Sequence, residues 1–211
     1  MDLLVLIQKT RDQLLSHWGL SISVCIVYTM LIAIPSELNT FGEILSLLIA
    51  GPLQLGLCIY FLKISRENKS SFYDLFEGFK PLINILLLFI IVNGLTIIGF
   101  IFFIIPGIII SLGFSMSYYI IAEKPEMQVI EVLEKSWKMM DGKKMELFML
   151  HLRFLPWYFL GLLFFIVGVF IIMPWHNLAL ANYYLTIKDE NFRRFENLFN
   201  FQLQQPFLSD R

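Results

Sequence analysis

The chain has 211 residues, of which 57% are hydrophobic and only 16% charged, and its formal net charge is −1. A soluble domain carries about 25% charged residues, so a mean hydropathy of +0.71 places this chain among membrane proteins. A separate soluble catalytic domain, which needs about 100 residues, has no room here, and one membrane domain over residues 1–211 is expected.

Residues 1–12 place an apolar cluster ahead of their charges, the reverse of a signal peptide, so the N-terminus is expected to be retained. A first span is predicted over 13–36, ended by Pro35, and a second over 44–62. Between them lie Glu37 and Glu43 without a basic residue, whereas Lys63, Arg66, Lys69 and Lys80 follow the second span. Within that basic connection Ser71 opens a Phe72, Phe76, Phe79 stripe opposite Asp74 and Glu77, predicted to be one or two helical turns at the interface.

From Pro81 to Ala122 the chain runs 42 residues without an Asp, Glu, Lys, Arg or His. One helix of that length would rise roughly 63 Å, about twice the hydrocarbon core of a bilayer. The stretch is therefore read as two spans, 81–104 and 107–122, turning at Pro106-Gly107, where proline lacks an amide and glycine accepts unusual backbone angles.

An amphipathic helix follows over 125–141, with Val129, Ile130, Val132, Leu133, Trp137 and Met140 on one face and Glu131, Glu134, Lys135 and Lys138 on the other. A second over-long run, 154–187, is read as spans 154–173 and 174–187 turning at Met173-Pro174. Beyond Lys188 a tail stripe of Phe192, Phe195, Phe199 and Leu203 is expected against the cytosolic face.

The fold class predicted is all-α: a polytopic bundle of six transmembrane helices in three Pro-turned hairpins, with a cytosolic-side amphipathic helix. Counting Lys and Arg along the chain gives two in the N-terminal segment, four after span two, six after span four and four in the tail, with none in the other connections. The positive-inside rule then places both termini in the cytosol. Returning arms beginning at Pro52, Pro106 and Pro174, each with Tyr near its charged end, form a loose internal repeat.

Over about residues 70–187 the order of elements resembles a large uncharacterised family of bacterial six-helix membrane proteins. That family is akin to the YciC-like inner-membrane proteins and to the membrane domain of some glycerophosphoryl diester phosphodiesterases. The resemblance rests on LFEGFK at 75–80, IPGIII at 105–110, Ser136 with MMDGKK at 139–144, LFML at 147–150 and the Pro174–Tyr184 arm. It implies an inner-membrane location and this topology, and no activity.

No catalytic, cofactor or metal site is expected. His17, His151 and His176 fall on different elements, with His176 expected at the opposite end of the membrane from the other two. Gly113-Phe114-Ser115 and His176 have the residue types of an intramembrane serine protease, but a turn at Pro174 would put them at unequal depths. No Gly-rich phosphate loop is present, and nucleic-acid binding is not expected.

Two function classes follow. The leading expectation is a non-enzymatic accessory protein that engages anionic lipid or another membrane protein through Lys135, Lys138, Lys143 and Lys144. The alternative is a small-solute permease whose polar path is formed by Asn93, Thr96, Ser115, His176, Asn177 and Asn182. For those polar groups, bonding between helices is the simpler role.

Overall fold

The computed structural model describes residues 3–37, 40–67, 69–163 and 167–204, with the side chains of Val167 and 192–204 outside that description. The tail stripe of Phe192, Phe195, Phe199 and Leu203 therefore lies outside the described side chains. The regular elements among the described residues are all helical: α1 (Leu3–Leu15), α2 (Trp18–Ser36), α3 (Thr40–Glu67), a 3-10 segment (Phe72–Phe79), α4 (Leu82–Phe102), α5 (Ile104–Phe114), α6 (Ser117–Glu123), α7 (Val129–Met139), α8 (Lys144–Leu163) and α9 (Val167–Gln204). Among the described residues, four stretches are long and apolar enough to cross a membrane: Trp18–Ser36, Thr40–Glu67, Leu82–Phe102 and Ile104–Glu123.

α3 is the central element, packed by α2, α4, α6, α9 and the 3-10 segment. The tightest of these contacts depends on two glycines. A Cβ on Gly56 would lie 1.7 Å from the Leu75 carbonyl oxygen, and one on Gly78 would lie 2.0 Å from that of Pro52. Without side chains there, the 3-10 segment lies backbone to backbone on α3. Its buried face is Asp74, Leu75 and Gly78, whereas Phe76 and Phe79 are exposed. Phe76 and Phe79 of the predicted interfacial stripe thus face away from α3, while Asp74, expected opposite them, is buried against it. Ser71 caps the segment, its backbone N–H donating to Asp74 Oδ2 at 2.7 Å while the Ser71 hydroxyl accepts from Tyr73 N–H.

Three boundaries differ from the sequence expectation. The first predicted span, 13–36, is divided: α1 ends at Leu15, residues 16–17 turn, and α2 starts at Trp18. α1 instead packs along α9, where the Trp175 indole donates to the Ile7 carbonyl at 3.3 Å. The central hairpin turns at Phe103, whose backbone is extended (φ −164, ψ 155), and not at Pro106-Gly107. Pro106 sits in the first turn of α5, where amides have no intrahelical acceptor and a missing N–H costs nothing.

The last hairpin does not turn at Met173-Pro174, because α9 passes through Pro174 without interruption. Proline is tolerated inside membrane helices where neighbours take up the freed carbonyl. α8 and α9 instead approach where a Cβ on Gly161 would meet the Gly168 carbonyl carbon at 2.8 Å. Gly99 and Gly107 make the equivalent approach between α4 and α5, with 3.0 Å from a Gly99 Cβ to Gly107 Cα. Backbone proximity between glycine pairs, with no proline at the bend, therefore marks both turns.

Candidate functional site

A half-open cavity of about 360 Å³ lies between α2, α3, α4 and the α5–α6 break. Its polar lining is Tyr28, Gln54, Asn93, Thr96, Ser111, Ser115 and Tyr118, and among the described residues no Asp, Glu, Lys, Arg or His contributes. Asn93 is exposed on α4, a helix otherwise composed of apolar residues, glycines and Thr96 from Leu87 to Phe102. A polar amide left against hydrocarbon is costly, so water or a polar ligand is its natural neighbour.

Local chemistry explains the break that shapes the cavity. Residues 115–116 leave the helix near the middle of the Ile104–Glu123 stretch. The Leu112 carbonyl accepts both the Ser115 amide (3.4 Å) and the Ser115 hydroxyl (2.7 Å). The Gly113 carbonyl accepts the Ser136 hydroxyl of α7 at 2.9 Å. Hydroxyls thus satisfy carbonyls of the last α5 turn, and the helix restarts with Ile120 N–H donating to Met116 O. Trp137 packs so closely on Gly113 that a Cβ there would lie 2.4 Å from its ring. α7 consequently buries Val129, Val132, Ser136 and Met139, with Met140 just beyond it also buried and Leu133 partly so; of the predicted apolar face Ile130 is exposed and Trp137 is 38% exposed, and Ser136 is added to the buried side.

Bonding capacity remains within the cavity. The Tyr28 hydroxyl donates to Gln54 Oε1 at 2.7 Å, leaving the Gln54 amide hydrogens to serve a ligand. Asn93 Nδ2 donates to the Phe89 carbonyl and Ser111 Oγ to that of Ile108, leaving Asn93 Oδ1 and the serine oxygens as acceptors. The site can therefore bind a molecule with both donors and acceptors.

Of the six path candidates, Asn93, Thr96 and Ser115 come together here; His176, Asn177 and Asn182 do not. Asn182 joins three helices, donating to Thr10 Oγ1 (2.9 Å) and Gln13 Oε1 (2.8 Å) and accepting from the Ser65 hydroxyl (2.5 Å). Asn177 donates to the Met173 carbonyl of its own helix. His176 Nδ1 lies 3.0 Å from the Tyr158 hydroxyl, and its Nε2 is buried without a partner among the described residues.

Because α9 continues through Pro174, His176 is not remote from His151: their rings meet edge to face at 5.0 Å. No group of three metal-ligating side chains occurs among the described residues. Tyr28 was missed by the sequence reading; the signal was a tyrosine in mid-span, away from the interface where tyrosines concentrate.

Charged residues gather at one end of the bundle and largely pair with one another. Lys63 bridges Asp74 (2.7 Å) and Glu77 (2.8 Å), Lys80 reaches Glu77 at 3.0 Å, and Glu123 takes both Arg66 and Lys188. Hydrogen bonds from Lys63, then Lys80, hold the Glu77 carboxyl below its ordinary range. Of the predicted anionic-lipid contacts, Lys138 pairs with Glu134 at 2.7 Å. Lys143 pairs with Glu190 (2.9 Å) and Glu146 (3.3 Å), and the Glu190 bond is the main cause of its raised pKa. Lys144 lies 4.0 Å over the Trp137 ring. The pKa of Lys135 is lowered by burial first, then by Lys124 and Lys188.

Residues 89–191 match the model of a family described as a protein of unknown function, DUF975. The matched stretch carries Asn93, Thr96 and Ser115, while Tyr28 and Gln54 lie before it. The DUF975 match brings no activity, and it makes no link to YciC-like proteins or to the phosphodiesterase membrane domain. No curated protein and no solved structure matches the chain.

Proposed function

We propose that the protein is a six-span membrane permease for a small uncharged polar solute, acting without covalent catalysis. The observation that carries this reading is the neutral, half-open cavity that gathers Tyr28, Gln54, Asn93, Thr96 and Ser115 at a broken helix. Discontinuous helices and exposed polar groups recur where membrane transporters hold their solutes. Without a counter-charge in the lining, an ion would lose hydration and gain no partner, so the cavity favours uncharged molecules. In this reading α8 and the apolar part of α9 supply the fifth and sixth spans, in a bacterial inner membrane with both termini cytosolic. The gathering of paired charges at one end of the bundle supports that orientation.

A second reading, a non-enzymatic accessory protein engaging lipid or a membrane partner, draws on exposed Tyr73 and Ile130 and on the Trp137–Lys144 pair at the charged end. This reading leaves the polar cavity without a role, which makes it the weaker of the two.

Osmotic swelling of liposomes containing the purified protein tests the choice, with glycerol, urea and erythritol set against sodium acetate and choline chloride. Faster entry of at least one uncharged solute, lost in Asn93→Leu, is expected. Entry no faster than in protein-free liposomes for all three overturns the permease reading. A stoichiometric membrane partner co-purifying from native membranes would then support the second.

A further inference from the structure

Beside the charged band a cleft of about 300 Å³ opens between α3, the 3-10 segment and the end of α6. Its rim carries three cations, Lys63, Arg66 and Lys80, and three carboxylates, Glu67, Glu77 and Glu123. Its floor is apolar, formed by Leu55, Ile59, Leu62 and Ile121. The adjoining hollow shares Lys80, Pro81 and Pro125 and continues over Leu82 and Ile83, both exposed on the first turn of α4.

We propose that this cleft seats the headgroup of a zwitterionic ethanolamine glycerophospholipid, with its acyl chains lying along Leu82 and Ile83. A rim with equal numbers of each sign offers no surplus for a purely anionic or a purely cationic ligand, but it suits a group that carries both within a few ångströms. The lipid phosphate takes Lys80 and Arg66. The ammonium takes Glu77 and Glu67, the latter having no ion-pair partner among the described residues. The rim is held in place by Asp74 and Glu123, whose side chains are 8% and 12% exposed and which fix Lys63 and Arg66. An ethanolamine ammonium has N–H donors for carboxylates and a choline has none, so the rim distinguishes the two. The apolar floor and its exposed continuation select a lipid over a free headgroup. This cleft is separate from the solute cavity, and neither depends on the other.

Native mass spectrometry of the purified full-length protein, exposed to equal amounts of ethanolamine, choline and glycerol phospholipids with identical chains, reads the preference directly. The ethanolamine lipid should be retained about fivefold over each of the others, about 1 kcal/mol, from the N–H to carboxylate bonds that the other two headgroups cannot make. Glu67→Gln, at an exposed position, should erase most of that preference, Lys80→Gln should lower retention of all three lipids together, and Lys138→Gln, outside the cleft, should leave both readings unchanged. Equal retention of the three lipids, preference for the glycerol lipid, a preference unmoved by Glu67→Gln, or a total retention unmoved by Lys80→Gln overturns the proposal. So does displacement of the ethanolamine lipid by an equal concentration of free phosphoethanolamine.

Discussion

Replacing Asn182 by leucine should loosen the bundle by removing the polar junction between α1, α3 and α9. The side chain is buried, and it donates to Thr10 Oγ1 and Gln13 Oε1 while accepting from Ser65. Leucine has the same number and branching of side-chain heavy atoms as asparagine and a larger volume, so no cavity forms and the loss is that of the three hydrogen bonds, with any overpacking added to it. Bonds between membrane helices contribute about 0.6 kcal/mol on average and at most about 1.7, so three amount to about 2 to 5 kcal/mol. Thr10 keeps its own donor bond to the Leu6 carbonyl (2.7 Å), whereas the Ser65 hydroxyl loses its acceptor. Ser65→Ala removes one bond of the three and should cost about 1 kcal/mol. Reversible unfolding of the purified protein in mixed micelles, followed by circular dichroism, gives both values. If Asn182→Leu unfolds at the wild-type midpoint, the junction does not hold α1 on the bundle and the reasoning is wrong.

Gly56→Ala should be among the most damaging small substitutions, because its Cβ would fall 1.7 Å from the Leu75 carbonyl oxygen. Separating the 3-10 segment from α3 should cost more than the about 1–3 kcal/mol of ordinary overpacking, seen as loss of folded protein in detergent. Gly94→Ala, which meets nothing within 4 Å, is its control. Glu77 supplies a pH dependence whose sign follows from its lowered pKa. Its bonds to Lys63 and Lys80 add stability that is present above the ordinary glutamate value and is lost as pH falls through the lower folded value. Unfolding midpoints of wild type and Glu77→Gln should therefore differ at pH 7 and draw together as pH is taken down below the ordinary glutamate range; a gap that does not narrow would contradict the assignment.

Length and charge made the helical membrane class legible, since two uninterrupted apolar runs could not be single spans. The positions of the bends were less legible because proline carries two meanings. Pro106 occupies a first helical turn and Pro174 lies inside α9, while the close approaches are made by the pairs Gly99–Gly107 and Gly161–Gly168. Misplacing the last bend also separated His151 from His176, whose rings are in contact. Amphipathicity found α7 and most of its docking face, Val129, Val132, Leu133 and Met140, but not Ser136, which reads as polar until the Gly113 carbonyl opposite it is known. Half of the polar path was legible for a similar reason. Asn93, Thr96 and Ser115 share a cavity with Tyr28 and Gln54, while Asn182 spends its bonding groups on neighbouring helices. Composition does not distinguish those two uses of an amide; only the partners do.

Thiol accessibility tests the central claim, a wet polar cavity, most directly. In a background of Cys25→Ala and Cys58→Ala, both native cysteines being buried, single cysteines at Asn93, Thr96 and Ser115 would be compared with one at Ile97, which is 58% exposed on α4 and does not line the cavity. Iodoacetamide, small and uncharged, alkylates the thiolate, and a thiolate forms only where water reaches it. Rapid alkylation at positions 93, 96 and 115 with slow reaction at 97 is the result the cavity predicts. Reaction at all three cavity positions as slow as at 97 would show a dry site and contradict the permease reading.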